Sequence, residues 1–470
     1  MESRPRRRLA SRPPRGALQR RDHGADEGDG VDRISILHDD LLLLVLTRLR
    51  CARTAARTSV LSRRWRRGLW RLLPELYFGK IVASALEAAL AQVALPKLSV
   101  VHIGQNFCDG RLRFSAAGVA SLLRNVARLN PVELKVIVEL EVKDRDIPVE
   151  LPCFVRATSI YLDVPRLNLT LPTQGGEFPT LERLFIEEYT INIGALISRC
   201  PHLRVLELKR CQNGGPIIVH STTIEEIIVT DGGAEIRGID IVAPALKKFR
   251  LSADIHKDFT MSLLAPMLEN LSWNCMYYSR LGIMIDEIWL LLCLELKKES
   301  SGLVLRLEIE IPEYFSSYKQ KLQEIFQFPK VSVLDLNLET CGHVYGAMVL
   351  NLLSSCNGIR RLKIATNQHE RRGEACPPNC PCDQSQNWKS QNSLMDLEEV
   401  EIENFKGSAH EVDFMKLLFS CSPLTKVVLK LESNASTRSK RFKEIYDYFK
   451  ANPSVEYHIY RKCGKEVMHV

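Results

Sequence analysis

One apolar pattern constrains this chain more than any other feature: L-x-x-L-x-L, with other apolar residues substituting, at a nearly constant period. It occupies Leu181/Leu184/Ile186, Leu203/Leu206/Leu208, Ile224/Ile227/Val229, Leu246/Phe249/Leu251 and Leu268/Leu271/Trp273, with starts 22, 21, 22 and 22 residues apart. The last two apolar positions of each unit alternate with period two, which is the geometry of a short strand and not of a helix. A unit this short cannot bury its apolar face alone, so successive units must stack and lay their strands side by side. The fold class that follows is α/β, an irregular solenoid with a parallel sheet along one face. Leu98/Val101/Ile103 and Ala157/Ile160/Leu162 fit as earlier members, and the repeats are expected over residues 95–325. Cys200-Pro201 and Ala243-Pro244 stand just before two strands, where proline fixes the entering turn.

After residue 280 the register slips. Residues 281–325 hold a leucine-rich stretch, and YFSSYKQKLQEIFQF (314–328) reads as a helix. The pattern returns at Val331/Leu334/Leu336, Ile359/Leu362/Ile364, Leu397/Val400/Ile402 and Leu424/Val427/Leu429. Residues 394–431 read as strand, turn at Lys406-Gly407, helix and strand. Val412, Met415 and Leu418 or Phe419 form the buried face of that helix, and Pro423 follows its end. A final unit with a polar outer side would cap the open end of the solenoid.

The N-terminal part is organised differently. Asp39 and Asp40 stand where a helix takes its cap and early negative charge. Leu42, Val45, Leu46 and Leu49 follow on one face, widened by Leu41 and Leu44. Thr58 or Ser59 can cap a second helix that places Leu61, Trp65 and Leu69 on one face, with Arg63, Arg64, Arg66, Arg67 and Arg71 around it. A unit of under fifty residues holds little core of its own. Its apolar stripes need either the rest of the chain or a second protein.

Residues 31–78 resemble an F-box of the plant style, DRIS-x-LPD followed by RTSVLSRRWR-x-LW. The matching residues are Asp32-Arg33-Ile34-Ser35, Leu37, Asp39, the leucine helix, Arg57-Thr58-Ser59-Val60-Leu61-Ser62-Arg63-Arg64-Trp65 and Leu69-Trp70. The resemblance implies a three-helix motif that docks a Skp-type adaptor, and through it a cullin, by way of Leu37, His38, Leu41, Leu42, Val45, Leu46, Leu49, Leu61 and Trp65. It implies the substrate-recognition subunit of an SCF-type E3 ubiquitin ligase, with a protein substrate held on the repeats. Three departures stand against the pattern. His38 replaces the family's first proline, and Arg50 replaces a second one near the end of the first helix. Trp70 follows Trp65 at a spacing of five where the family has four, which on a continuous helix turns the second ring by about 100°. The alternative is a leucine-rich-repeat interaction scaffold with a degenerate F-box. Residues 330–460 resemble the FBD domain that closes many plant F-box/leucine-rich-repeat proteins, chiefly in L-x-x-L-E-E-V-x-I-x-x-F-x-G.

The formal charge of +8 is local. Residues 1–80 hold 19 Lys+Arg against 9 Asp+Glu, and the other 390 hold 45 against 47. Residues 1–30 form an arginine-rich tail too polar to fold, with Arg6-Arg7-Arg8 and Arg20-Arg21 as a nuclear-type tract. The body has no aromatic-interleaved basic stripe, which argues against nucleic acid as partner. The longest apolar run, Ile288–Leu294, is seven residues, far below the ~18 of a membrane span. Fourteen scattered cysteines without framework spacing indicate reduced thiols in a cytoplasmic or nuclear protein. No P-loop, dinucleotide fingerprint, nucleophile elbow or H-E-x-x-H occurs, so neither catalysis nor a cofactor is expected. Recognition falls to exposed repeat positions such as Glu207, Lys209, Glu225, Lys247 and Arg250. His369, Cys376, Cys380 and Cys382 form the set of residues that zinc could take, but H-x6-C-x3-C-x-C matches no paired C-x2-C hairpin, and no metal is assigned.

Overall fold

The structure, a computed structural model, describes residues 33–469 except 80, 105–110, 145–146, 173–175, 211–214, 276–281, 287, 312–318, 323–325, 327–328, 357, 368–379, 381, 383–395, 434, 436–439, 462 and 465. The arginine-rich tail, His369 and Cys376 lie outside the described residues.

Strands form where the alternation demands them. Glu75–Phe78, Val100–Ile103, Glu133–Ile137, Ser159–Thr170, Arg183–Thr190, Val205–Lys209, Glu226–Val242, Lys248–Leu264 and Asn270–Cys275 pair in that order, each parallel to the one before. Their register is that of the apolar pattern. Ile160, Leu184, Leu206, Ile227, Phe249 and Leu271 stand opposite one another, and none is more than 2% exposed. Stacking therefore converts a periodic sequence into a continuous core, since each ladder covers the next. The pattern missed the unit at Glu133–Ile137 because Pro131 stands at its first apolar position.

The slip after residue 280 is an inserted hairpin. Leu290–Glu299 runs antiparallel to Asn270–Cys275, and Gly302–Glu310 runs antiparallel to Leu290–Glu299. Two reversals restore the original direction, so Val333–Glu339 pairs parallel with Gly302–Glu310. The hairpin turns at Gly302, whose φ of +115° favours glycine, and a Cβ there would lie 2.3 Å from the Ser332 hydroxyl. Of the helix expected over 314–328, Lys319–Lys321 is instead a strand paired with Gly282–Met284, while Leu322 is helical and its carbonyl accepts from the Phe326 amide at 2.9 Å. Arg361–Asn367, Glu399–Phe405, Lys426–Leu431 and Glu456–Tyr460 continue the parallel sheet, and Glu466–His469 closes it antiparallel. The strand–turn–helix–strand order expected over 394–431 is present. Helix Ala409–Cys421 starts from a Ser408/Glu411 capping box and buries Val412, Met415 and Leu418.

The second layer changes character along the chain. AAGVASLLRNVAR forms helix Ala116–Arg128 because Val119, Leu122, Leu123 and Val126 share one face, and all four are buried. In the middle repeats the return segments alternate instead. Ile217–His220 pairs with Ile239–Val242, and Gly238–Val242 pairs with Thr260–Leu264, as a second row of parallel strands.

Two boundaries differ from expectation. The sheet begins at Glu75, inside the segment 31–78, and helix Ala83–Gln92 fills the stretch expected to link that segment to repeats starting at 95. Trp70, Leu73 and Leu76 enter the same core as the repeats. The N-terminal helices are built onto the first strand of the solenoid and are not a separate unit.

Candidate functional site

Helix Asp39–Arg48 has Asp39 and Asp40 in its first turn and Arg48 in its last, each suited to the helix dipole. Asp39 is also held by Arg64, with Arg64 Nε 2.7 Å from Asp39 Oδ1. DDLLLLVL has no polar face past its first two residues, so one apolar side must be left over once the other is buried. Leu42 and Leu46 are the buried side, at 1% and 2% exposure, while Leu41, Leu44, Val45 and Leu49 remain 41–55% exposed. Ile34, Ile36, Val60 and Leu61 are exposed in the same segment. Of the seventeen large apolar side chains exposed among the described residues, nine lie within residues 34–72. So dense an apolar surface marks an interaction site.

The residues expected to meet a partner therefore divide. Leu41, Val45, Leu49, Leu61 and His38 face solvent, and Leu37 is half-buried. Leu42, Leu46 and Trp65 do not: they are buried in the chain's own core, and their work is to fix the helices beneath the exposed face. The second helix is also shorter than expected. Helix Ala52–Arg57 gives way to a 3-10 turn, and Ser62, not Thr58 or Ser59, caps Arg63–Arg66 by accepting from the Trp65 amide at 3.5 Å. Gly68 then breaks the helix at φ +87°. This break redirects the chain, so that Trp65 and Trp70 are both buried at 7% exposure despite their spacing of five.

The two proline departures also differ in kind. His38 holds φ −64° and ψ 154° in front of the helix, which is the conformation a proline would impose. Arg50 holds φ +45° just past the helix, donates its amide to the Thr47 carbonyl at 3.2 Å and lays its guanidinium over Tyr77 at 5.8 Å. No proline fits that conformation.

A second candidate surface is the outward side of the sheet. Tyr77, His102, Lys135, Tyr161, Phe185 and Glu207 occupy one register row across consecutive strands. The Tyr161 and Phe185 rings stack at 3.9 Å and the Lys135 ammonium sits 4.4 Å from the Tyr161 ring. Burial, reinforced by Asp163 and Glu187, pushes the Tyr161 phenol up to about 12, so it stays neutral. Beside this aromatic shelf, Arg111 grips the buried Asp163 with two hydrogen bonds of 2.7 and 3.0 Å, and Arg210 and Lys209 neutralise the buried Glu187. Burial nonetheless raises the Asp163 carboxyl above its ordinary value. Of the positions singled out in the sequence, Glu225 is engaged by Arg204 and Lys247 at the strand entries. The shelf itself was missed, although its signal is present: it is the residue between the last two apolar positions of successive units.

Arg111→Ala is expected to lower stability by about 2 kcal/mol, because a buried carboxylate loses its charged partner. The native carboxyl binds its proton more readily than the unfolded one, so the penalty belongs to the ionised form. The deficit relative to the natural chain should shrink as the pH falls toward 4, which paired denaturant titrations at two pH values would read.

The remaining soft-ligand residues fall out differently from the sequence expectation. Cys380 and Cys382 are buried and converge on His343, a residue that sequence spacing did not connect with them. No helix of the described residues is long and apolar enough to cross a membrane.

Residues 119–285 match the family model described as the leucine-rich repeats of FBD-associated F-box protein At5g56370. The FBD-associated F-box protein At5g56390 of Arabidopsis thaliana is 26% identical over 203 residues, covering 40% of this chain and 46% of that protein. The chain thus spans about half the length of the curated relative it matches. No solved structure matches the chain. The mixed α/β sheet accords with a leucine-rich-repeat fold, and the matched part of the chain is similar to plant FBD-associated F-box proteins.

Proposed function

We propose that this chain is a substrate-recognition subunit of a cullin-based ubiquitin ligase. Its F-box, residues 31–78, docks a Skp-type adaptor, its repeats hold a protein substrate, and an FBD-type unit over 330–460 closes the solenoid. The observation that carries the reading is the apolar face Leu41/Leu44/Val45/Leu49/Leu61, left exposed by a helix whose other side is already buried. Arg48, Arg53, Arg57, Arg63, Arg66 and Arg67 are exposed in the same segment, so the matching surface should be apolar with acidic flanks.

Such a subunit performs no bond chemistry. It raises the concentration of substrate lysines near a charged ubiquitin carrier, so it needs two binding faces and no nucleophile. The aromatic shelf of Lys135, Tyr161 and Phe185 is the face we assign to substrate. Action in the cytoplasm or nucleus belongs to the same reading.

The test is co-purification of the full chain with a Skp-type adaptor, at low and high salt. Stoichiometric capture that weakens as salt rises supports the reading, because the exposed arginines are screened. Absence of capture by the natural chain and by His38→Pro alike would replace it with the interaction scaffold.

A further inference from the structure

His343 lies in the turn between strand Val333–Glu339 and helix Gly346–Ser355, while Cys380 and Cys382 belong to the excursion after strand Arg361–Asn367. Stacking of the two repeats brings them together. Cys380 Sγ and Cys382 Sγ stand 3.3 and 3.5 Å from the same atom, His343 Nδ1. The three ligand atoms lie within 4.8 Å of one another, and the two cysteines are only 6% and 5% exposed.

The distances discriminate between explanations. Tetrahedral zinc, with Zn–S of about 2.3 Å and Zn–N of about 2.05 Å, sets its sulfur–nitrogen edges at about 3.6 Å. Both observed separations are close to that edge. A neutral imidazole nitrogen has one lone pair and accepts one hydrogen bond well, yet here two sulfurs crowd it. A cation at the centre of the three atoms removes the conflict.

The backbone presents the histidine for this purpose. Cys341 and Gly342 hold φ of +46° and +85°, and the His343 amide closes the turn on the Thr340 carbonyl at 2.8 Å. A non-glycine residue in the left-handed region is held there at some cost, and such turns are common where a side chain must be aimed.

We propose that His343, Cys380 and Cys382 bind a zinc ion that staples the cysteine-bearing excursion to the turn of the preceding repeat. The two cysteines bind as thiolates and the histidine as neutral imidazole, so loading releases two protons to solvent and changes no oxidation state. The three residues fill three of the four tetrahedral positions. An ion bound by the folded chain and not by the unfolded one stabilises these repeats.

The experiment uses the full chain, purified under a phosphine reductant without chelator, with metal content measured by mass spectrometry. One zinc per chain is expected in the natural protein and in His343→Cys, with at least a tenfold loss in Cys380→Ser/Cys382→Ser. Cobalt(II) loaded into the natural protein should show tetrahedral d–d bands and thiolate-to-metal charge transfer, a readout that does not depend on the variants folding. Chelation should lower the melting temperature of the natural chain and leave the double-serine chain unchanged. The proposal is overturned if the reduced natural chain takes up no added zinc, if the double variant keeps full stoichiometry, or if fresh protein carries a Cys380–Cys382 disulfide. None of these outcomes bears on adaptor capture, so the two readings stand or fall separately.

Discussion

Val45→Asp/Leu49→Asp is expected to abolish capture of a Skp-type adaptor, weakening it at least 100-fold, while moving the melting temperature by no more than about 2 °C. Both side chains are half in water already, at 50% and 41% exposure, so aspartate there loses little in the free chain. In a complex each carboxylate would be buried against an apolar partner without a counter-charge, at several kcal/mol apiece. The contrast with the adjacent positions makes the experiment decisive. Leu42 and Leu46 are 1% and 2% exposed, so Leu42→Asp/Leu46→Asp would melt the helices, and its failure to bind would say nothing about docking. Calorimetric titration of the adaptor, run beside thermal unfolding of both pairs, separates surface from scaffold. Full-affinity capture by Val45→Asp/Leu49→Asp would remove this face from the adaptor interface.

Restoring the two prolines of the family pattern should have opposite consequences. Arg50→Pro is expected to destabilise the chain by about 3 kcal/mol. Proline cannot reach the φ of +45° held there, it deletes the amide that bonds Thr47, and it disfavours the helical φ −68°, ψ −23° of Leu49 before it. His38→Pro enters a backbone already at φ −64°, and should be neutral or stabilising by up to about 1 kcal/mol through the unfolded state. His38 contributes little that proline would lose, since its contact with Asp40 at 3.1 Å is largely solvent-exposed. Urea denaturation of the two variants tests the pair. Equal loss in both would mean that the helix entry tolerates proline no better than its exit.

These expectations show where the residue pattern is a sufficient guide. The apolar positions of the repeats are legible because a strand's alternation is local and every unit repeats it. All but Leu268 of the three positions in each of the eleven units named from the sequence are buried. The capping box at Ser408 and Glu411 and the buried face of the helix that follows are equally local. The resemblance of residues 31–78 to an F-box rests on such local order as well.

Four consecutive leucines, by contrast, carry no information about which face is inside. Leu41 to Leu44 became two inner and two outer residues only when the helix packed against the turn Leu69–Leu72 that leads into strand Glu75–Phe78. The spacing of Trp65 and Trp70 does not decide their facing, because the helix ends before Gly68, where the chain turns left-handed and both rings are buried. The hairpin at Gly302 preserved the direction of the sheet through a break in periodicity that looked like its end. His343 meets Cys380 and Cys382 because neighbouring repeats stack, across a sequence separation that no motif spans. Period, strand positions and core membership were thus set by the sequence alone, because each depends on residues a few places apart. The exposed docking face, the aromatic shelf and the soft-ligand cluster were decided by tertiary structure, because each is formed by side chains that only packing brings to a common surface.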